Sequence, residues 1–284
     1  MSIVNELKYK MLHSGSRLYL FIGINILVFL VINLLAVFQF LFTGSTGYAD
    51  WLQLNLSVPA YLPMLAAKFW TVVTYMFSHR SLFHILLNLI WLYWMGRIFE
   101  DFLNKRQFTF TYLAGGLAGA ALYVLAYNIF PVFSGAIPHS VAIGASASVM
   151  AVVVATATLL PDYTIMLLLF GSVRLKYLAI AFVIIDFLSI AGTNAGGSIA
   201  HIGGGILGYL YIKQLRRGRD WSKIFTRKRT RLRPLRNETV PKRNISDLPD
   251  QEVIDSILDK ISKSGYDSLS KTEKEQLFKA SKKQ

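Results

Sequence analysis

The feature that most limits the fold is a recurrence of long apolar runs, separated by short polar stretches, through residues 18–212. A helix that crosses a bilayer needs about 20 mostly apolar residues, because its backbone polar groups must be satisfied within the segment. Six runs reach or approach that length: 18–42, 82–99, 108–130, 142–160, 177–191 and 198–212. With 54% hydrophobic residues, 16% charged residues and a mean hydropathy of +0.44, the chain has too little polar surface for a water-soluble fold. An all-α membrane protein with six transmembrane helices is expected. The first run is too long for the core of a signal peptide and no small-residue cleavage site follows it, so it is expected to stay as a helix.

The basic residues set the orientation. Lys8, Lys10 and Arg17 precede or open the first run, Arg97, Lys105 and Arg106 surround the end of the second, and Arg174 and Lys176 follow the fourth. About twenty of the 30 Lys and Arg lie from Lys213 onward. The alternate loops carry almost none, with Lys68 and Arg80 as exceptions. Both ends are therefore expected in the cytoplasm. The net charge of +14 comes largely from the tail. A basic tail beside a membrane is read as resting near anionic lipid, so membrane lipid is an expected partner and nucleic acid is not. The chain has no Cys, which excludes disulfides, thiolate metal sites and a Cys nucleophile. No metal or cofactor is expected.

The chain divides into a cytoplasmic N-terminus (1–17), a membrane domain (18–212), a basic linker (213–245) read as disordered, and a small helical element (246–284). In the last part Val253, Ile254, Ile257, Leu258 and Ile261 repeat at helical spacing. Gly265 suits a left-handed stop, and Ser270-Lys-Thr-Glu273 fits a capping box opening a second helix. A cytoplasmic helical hairpin with a docking or regulatory role is expected. Residues 43–68, with Trp51, Pro59 and Pro63, read as a structured interfacial loop, 161–176 as a cytoplasmic turn and 192–197 as a glycine-rich loop.

Three patterns could carry chemistry. His84 and Asn88 are four apart, so they share one face near the outer end of the second run. They could donate hydrogen bonds to an oxyanion, or serve as polar glue between helices. Gly144-Ala-Ser146 opens the fourth run, where Ser146 is either a nucleophile or a small packing residue. Ala200-His201-Ile-Gly203-Gly204 opens the sixth, with Gly204 and Gly208 permitting close helix contact and His201 one turn outward. His201 could be a base, a structural group or part of an ion pathway. In the expected topology runs two, four and six all enter from the outer face. The three patterns then share one depth, and a Ser, a His and extra donors at one level are the parts of an acyl-transfer site. Asp186, in the fifth run, is read as an interfacial carboxylate at the outer mouth.

The stretch from Phe69-Trp70-Thr71 to Glu100, the Gly144-x-Ser146 segment and Ala200-His201-x-Gly203-Gly204 resemble the rhomboid family of intramembrane serine proteases. The resemblance covers about residues 18–212 and implies a six-helix rhomboid-like bundle in which Ser146 is the nucleophile and His201 the general base. It further implies that His84 and Asn88 stabilise the oxyanion, that His79 is structural, and that the catalytic pair is a dyad with no acidic third member. Three positions depart from the family pattern: Ala147 replaces a Gly after the nucleophile, Thr71 replaces an Arg after Trp70, and Met150 stands where some members place a Tyr. The implied activity is cleavage of transmembrane segments of other membrane proteins near the outer face, in a bacterial cytoplasmic membrane. The expected water-filled site is roofed by 43–68 and 192–197. A rhomboid-like scaffold that binds membrane helices without cutting them, or a small transporter, are the competing readings.

Overall fold

The computed structural model describes residues 15–167, 171–225 and 251–281. The sequence expectations for residues 1–14, for 168–170 of the cytoplasmic turn and for 226–245 of the linker lie outside the described residues. The chain forms two compact units, Met1–Arg227 and Lys228–Gln284.

In the first unit a helix stands at each of the six apolar runs: α1 (Arg17–Thr43), α5 (Leu82–Phe102), α6 (Lys105–Ile129), α7 (Ser146–Leu159), α8 (Leu175–Leu188) and α9 (Ala195–Arg216). Among the described residues α1, α5 and α6 are long and apolar enough to cross a membrane unaided. α7 has only 14 residues, about 21 Å against a hydrocarbon core of about 30 Å. It is the centre of the bundle, and every residue from Ala147 to Ala157 is buried. A helix that is apolar all round needs neighbours all round, and α7 packs against α5, α6, α8 and α9. The chain is thus an integral, all-α membrane bundle.

Glycine sets how close those neighbours come. A Cβ at Gly204 or Gly208 of α9 would collide with the carbonyl oxygens of Ala147 or Ala151, so α9 lies backbone against backbone on α7. On the opposite flank, a Cβ at Gly119 of α6 would sit 2.5 Å from the Ala147 methyl and 2.7 Å from the Ala200 carbonyl oxygen. Ala147 and Ala200 therefore meet the same spot on α6. The ends are tied as well. Arg216, in the last turn of α9, donates to the Thr158 and Leu159 carbonyls at 2.8 and 3.0 Å, satisfying acceptors that the end of α7 leaves open. At the other side of the bundle, Glu100 of α5 accepts from Ser16 Oγ (2.6 Å) and from the first amides of α1 (2.9 and 3.1 Å), a carboxylate at a helix N-terminus.

One expectation gains detail and two need correction. Residues 43–68, expected as a structured loop, are built from regular elements: they form α2 (Gly47–Leu56), a two-residue strand β1 (Val58–Pro59) and α3 (Leu62–Ala67), followed by a single turn α4 (Thr71–Thr74). The fourth helix does not begin at Ala142, because β2 (Val141–Ala142) pairs antiparallel with β1, and the chain then turns at Gly144 before the helix opens at Ser146. Within residues 161–176 the structure shows a strand pair, with β3 (Thr164–Leu167) antiparallel to β4 (Gly171–Arg174), since two short β-prone segments satisfy each other's backbone. Order also continues past 212. α9 runs to Arg216, and a 3-10 turn at Trp221–Phe225 follows, where Asp220 accepts from Arg106 (2.8 Å) and Tyr211 (3.0 Å).

In the second unit α10 (Gln251–Ser264) and α11 (Lys271–Ser281) form a helical hairpin. Gly265 takes φ +78° and donates to Ile261 O at 2.9 Å. The capping box closes, with Ser270 N donating to Glu273 (2.7 Å) and Glu273 N to Ser270 Oγ (3.3 Å).

Candidate active site

The segment before α7 is fixed from four directions. Ala60 N donates to Ser140 O (3.0 Å), Tyr123 OH donates to Ser140 Oγ (2.8 Å), Gly144 N donates to Tyr75 O (2.9 Å) and Ala145 N donates to His79 Nε2 (3.3 Å). Gly144 has φ +115°, a backbone state that L side chains resist. A Cβ there would also lie 2.7 Å from the His84 ring. That is the local reason for glycine two residues before the serine.

These ties place Ser146 at the first position of α7, where Ala145 supplies no capping side chain. The first amides of a helix have no partner within it, so the N–H groups around Ser146 are available at the positive end of the helix dipole. Ser146 lines a cavity of about 680 Å³ together with His84, Asn88, Met150, Asp186 and His201. The neighbouring Ser148 is fully buried with its hydroxyl against Met76 Sδ, so of these two serines it is Ser146 that the cavity reaches.

His84 and Asn88 come from the first two turns of α5. The Asn88 amide donates one hydrogen to its own helix at His84 O (2.8 Å), which leaves the other for the cavity. His201 lies in α9, one turn before Gly204, and the close α7–α9 contact carries it to the level of Ser146. No hydrogen bond joins Ser146 Oγ to His201 in this arrangement. Instead His201 Nδ1 is 2.8 Å from Asp186 Oδ1 of α8. Asp186 is not a carboxylate open to water at the mouth, as its position in the sequence suggests: its side chain is 13% exposed. An acid in an apolar helix is costly alone, and the imidazole is the partner that offsets the cost.

His79, between the 3-10 turn and α5, is fully buried. Burial, and then the nearby His84, push it down to about 3, so it is neutral and its Nε2 accepts from Ala145. It touches neither cavity nor solvent, and it holds the residue before the serine. Trp70 and Thr71 brace the preceding segment, through Trp70 Nε1 to Asn55 O (2.9 Å) and Thr71 Oγ1 to Lys68 O (2.7 Å). The Ala147 methyl faces Gly119, which has no side chain to crowd it. The cavity wall is formed by residues 140–143 and by Thr193, Asn194, Gly196 and Gly197. Residues 43–68 back that wall through β1 and do not line it, which corrects the expected roof. On the membrane side Trp91 of α5 and Phe182 of α8 meet edge to face at 4.8 Å.

The sequence pattern alone could not show that Asp186 and His79 belong to this assembly. The available signal was that a buried acid and a buried ring each need a partner.

A family model described as the rhomboid domain matches residues 66–218, and a family of unknown function (DUF6576) matches residues 244–283. RHOMBOID-like protein 12, mitochondrial, of Arabidopsis thaliana is 29% identical over 164 residues, which are 54% of this chain and 48% of that protein. Presenilin-associated rhomboid-like protein A, mitochondrial, of Danio rerio is 29% identical over 140 residues, 48% of this chain and 35% of that protein. The matched stretches thus span about half or less of the relatives' lengths.

Proposed function

The chain belongs to the rhomboid family, and from that premise we propose that it is an intramembrane serine endopeptidase that cuts transmembrane segments of other membrane proteins near the outer face. The observation that carries the reading is one cavity lined by Ser146 at an uncapped helix start, by His201, and by the donors His84 and Asn88.

In the proposed reaction Ser146 Oγ attacks the scissile carbonyl carbon and His201 Nε2 takes the hydroxyl proton. The carbonyl electrons move to oxygen, which receives hydrogen bonds from the Ser146 N–H, from Asn88 Nδ2 and from His84. Each such donor is worth about 10²–10³ in rate. His201 then protonates the leaving amine as the C–N bond breaks. Water entering the cavity hydrolyses the acyl-enzyme by the same route. Substrate helices with small or helix-breaking residues near the outer face fit best, because their carbonyls are released from helical hydrogen bonds at least cost.

In proteoliposomes with a labelled single-span substrate, Ser146→Ala is expected to abolish cleavage; wild-type cleavage by that variant would remove Ser146 from the role. The open Ser146–His201 gap favours one competitor, a scaffold that binds helices without cutting them. Catalytic hydrogen bonds are often long before substrate binds, and a fluorophosphonate probe separates the readings by whether Ser146 is labelled. Both relatives are named mitochondrial, which does not support the bacterial cytoplasmic membrane expected from the sequence. The assignment to a membrane stands on the apolar helices themselves.

A further inference from the structure

We infer that Asp186 is a positioning residue of the proposed peptidase: its carboxylate, carried by α8, orients the His201 ring and stabilises the imidazolium that forms as Ser146 attacks. The inference rests on the peptidase reading and adds to it an acid that the dyad implied by the resemblance lacks.

Local forces do not account for an aspartate at this position. α8 is otherwise apolar from Leu178 to Leu188, and Asp186 lies in its last turn, where the helix dipole disfavours negative charge. Phe187 and Leu188 after it are 67% and 70% exposed, and in a membrane they face lipid, while Ile185 before it stands at the cavity. Asp186 turns inward and reaches His201 Nδ1 at 2.8 Å, within the range of charge-assisted hydrogen bonds. The ionised carboxylate only accepts, so Nδ1 must carry the hydrogen and Nε2 keeps its lone pair. Nε2 is the nitrogen left to take the Ser146 proton. When that proton moves from Oγ to Nε2 as the Oγ–carbon bond forms, the ring becomes a cation beside a carboxylate. The charge is neutralised locally, and the proton later leaves Nε2 for the departing amine. Among the described residues Asp186 is the one carboxylate lining the cavity; the other titratable side chains there besides His201 are Arg80 from the segment before α5, His84 of α5 and the phenol Tyr127 of α6.

The carboxylate arrives on the least embedded helix of the site. α8 buries only Leu175, Leu178 and Ala179, all in its first turns. The Asp186 end is held by the His201 bond and, one turn earlier, by Phe182 against Trp91. The orienting acid is therefore in place only while α8 closes the cavity wall.

The test compares wild type, Asp186→Asn, Asp186→Ala and Ser146→Ala in proteoliposomes with a labelled single-span substrate, alongside the rate of fluorophosphonate labelling and the melting temperature in detergent. The expected result for Asp186→Asn is a kcat lower by at least about tenfold, a part of the roughly 10²–10⁴ that acid–base assistance supplies. KM and melting temperature should stay near wild type, and labelling of Ser146 should slow in parallel. Wild-type kcat in Asp186→Asn would overturn the inference. So would a fall in melting temperature that both Asp186 variants share and that accounts for their loss of activity, which would make the pair a structural clamp. If wild type neither cleaves nor is labelled at Ser146, it is the peptidase reading that fails.

Discussion

α7 is flanked by two helices that approach it in opposite ways. Against α9 the contact is main chain to main chain, with Gly204 and Gly208 over the Ala147 and Ala151 carbonyls and Arg216 closing the far end. Against α8 the contact is made by side chains, and only three residues at the start of α8 are buried. Backbone contact leaves no rotamers to adjust, while a side-chain contact of this kind opens at low cost. The rigid flank brings together Ser146 and His201. The yielding flank carries the Trp91–Phe182 wall and Asp186. On the proposed reading, parts whose separation must not vary stand on one side of the site, and parts that a substrate helix would pass stand on the other.

The comparison breaks most readily at Gly204. Gly204→Val pushes a side chain into the Ala147 carbonyl and should separate the two helices, lowering kcat/KM by more than about 100-fold, as for a displacement near 1 Å. Stability should fall by about 1–3 kcal/mol; substrate kinetics and thermal unfolding in detergent check both.

His79 tests the rigid flank by pH. Its pKa is about 3 in the fold against an ordinary 6.5, so below pH 6.5 the unfolded chain binds the extra proton first. Its contribution to stability is whole above pH 6.5 and declines as pH falls towards 3, by up to about 1.4 kcal/mol per pH unit. His79→Gln keeps an acceptor for Ala145 N and does not titrate. Denaturation midpoints of this variant should lose less than wild type between pH 6 and about 4.

On the yielding flank a lesion of similar size should matter less. Trp91→Ala removes its edge-to-face contacts with Phe182 and with Trp94 and should cost about 0.5–1.5 kcal/mol for each beyond the lost burial, with kcat much closer to wild type than in Gly204→Val. A loss of activity as large as at Gly204 would erase the distinction between the flanks. The smallest effect is expected at Ala147→Gly. The methyl already fits against Gly119, so activity should be retained while the helix loses about 1 kcal/mol of stability.

The six helices were legible because lipid allows few ways to satisfy a backbone, so run length and loop charge are strong signals. Ser146, His84, Asn88 and His201 were legible as residue types near helix starts. Their meeting in one cavity followed from the expected topology, which the sequence reading had to supply. The β1–β2 pairing was not legible, because two-residue strands far apart in sequence have no periodicity to betray them. Nor was the His201–Asp186 bond, made between separate helices 15 residues apart. Asp186 was visible as an anomaly in an apolar helix, and its partner required knowing which face of α8 turns inward. Residues 161–176 were misread as a plain turn, since a ribbon of four-residue strands resembles a broken apolar run.

The shortness of α7 has a consequence for where a substrate would be cut. Eleven of its 14 residues, Ala147 to Ala157, are buried among their neighbours, so the depth of Ser146 is set by protein and not by the thickness of the surrounding bilayer. A substrate helix floats by contrast, and it slides or tilts to match its hydrophobic length to the hydrocarbon. The proposed peptidase would then act as a fixed mark against a moving scale. Longer acyl chains should shift the scissile bond along the substrate by one residue for every 1.5 Å or so of altered register.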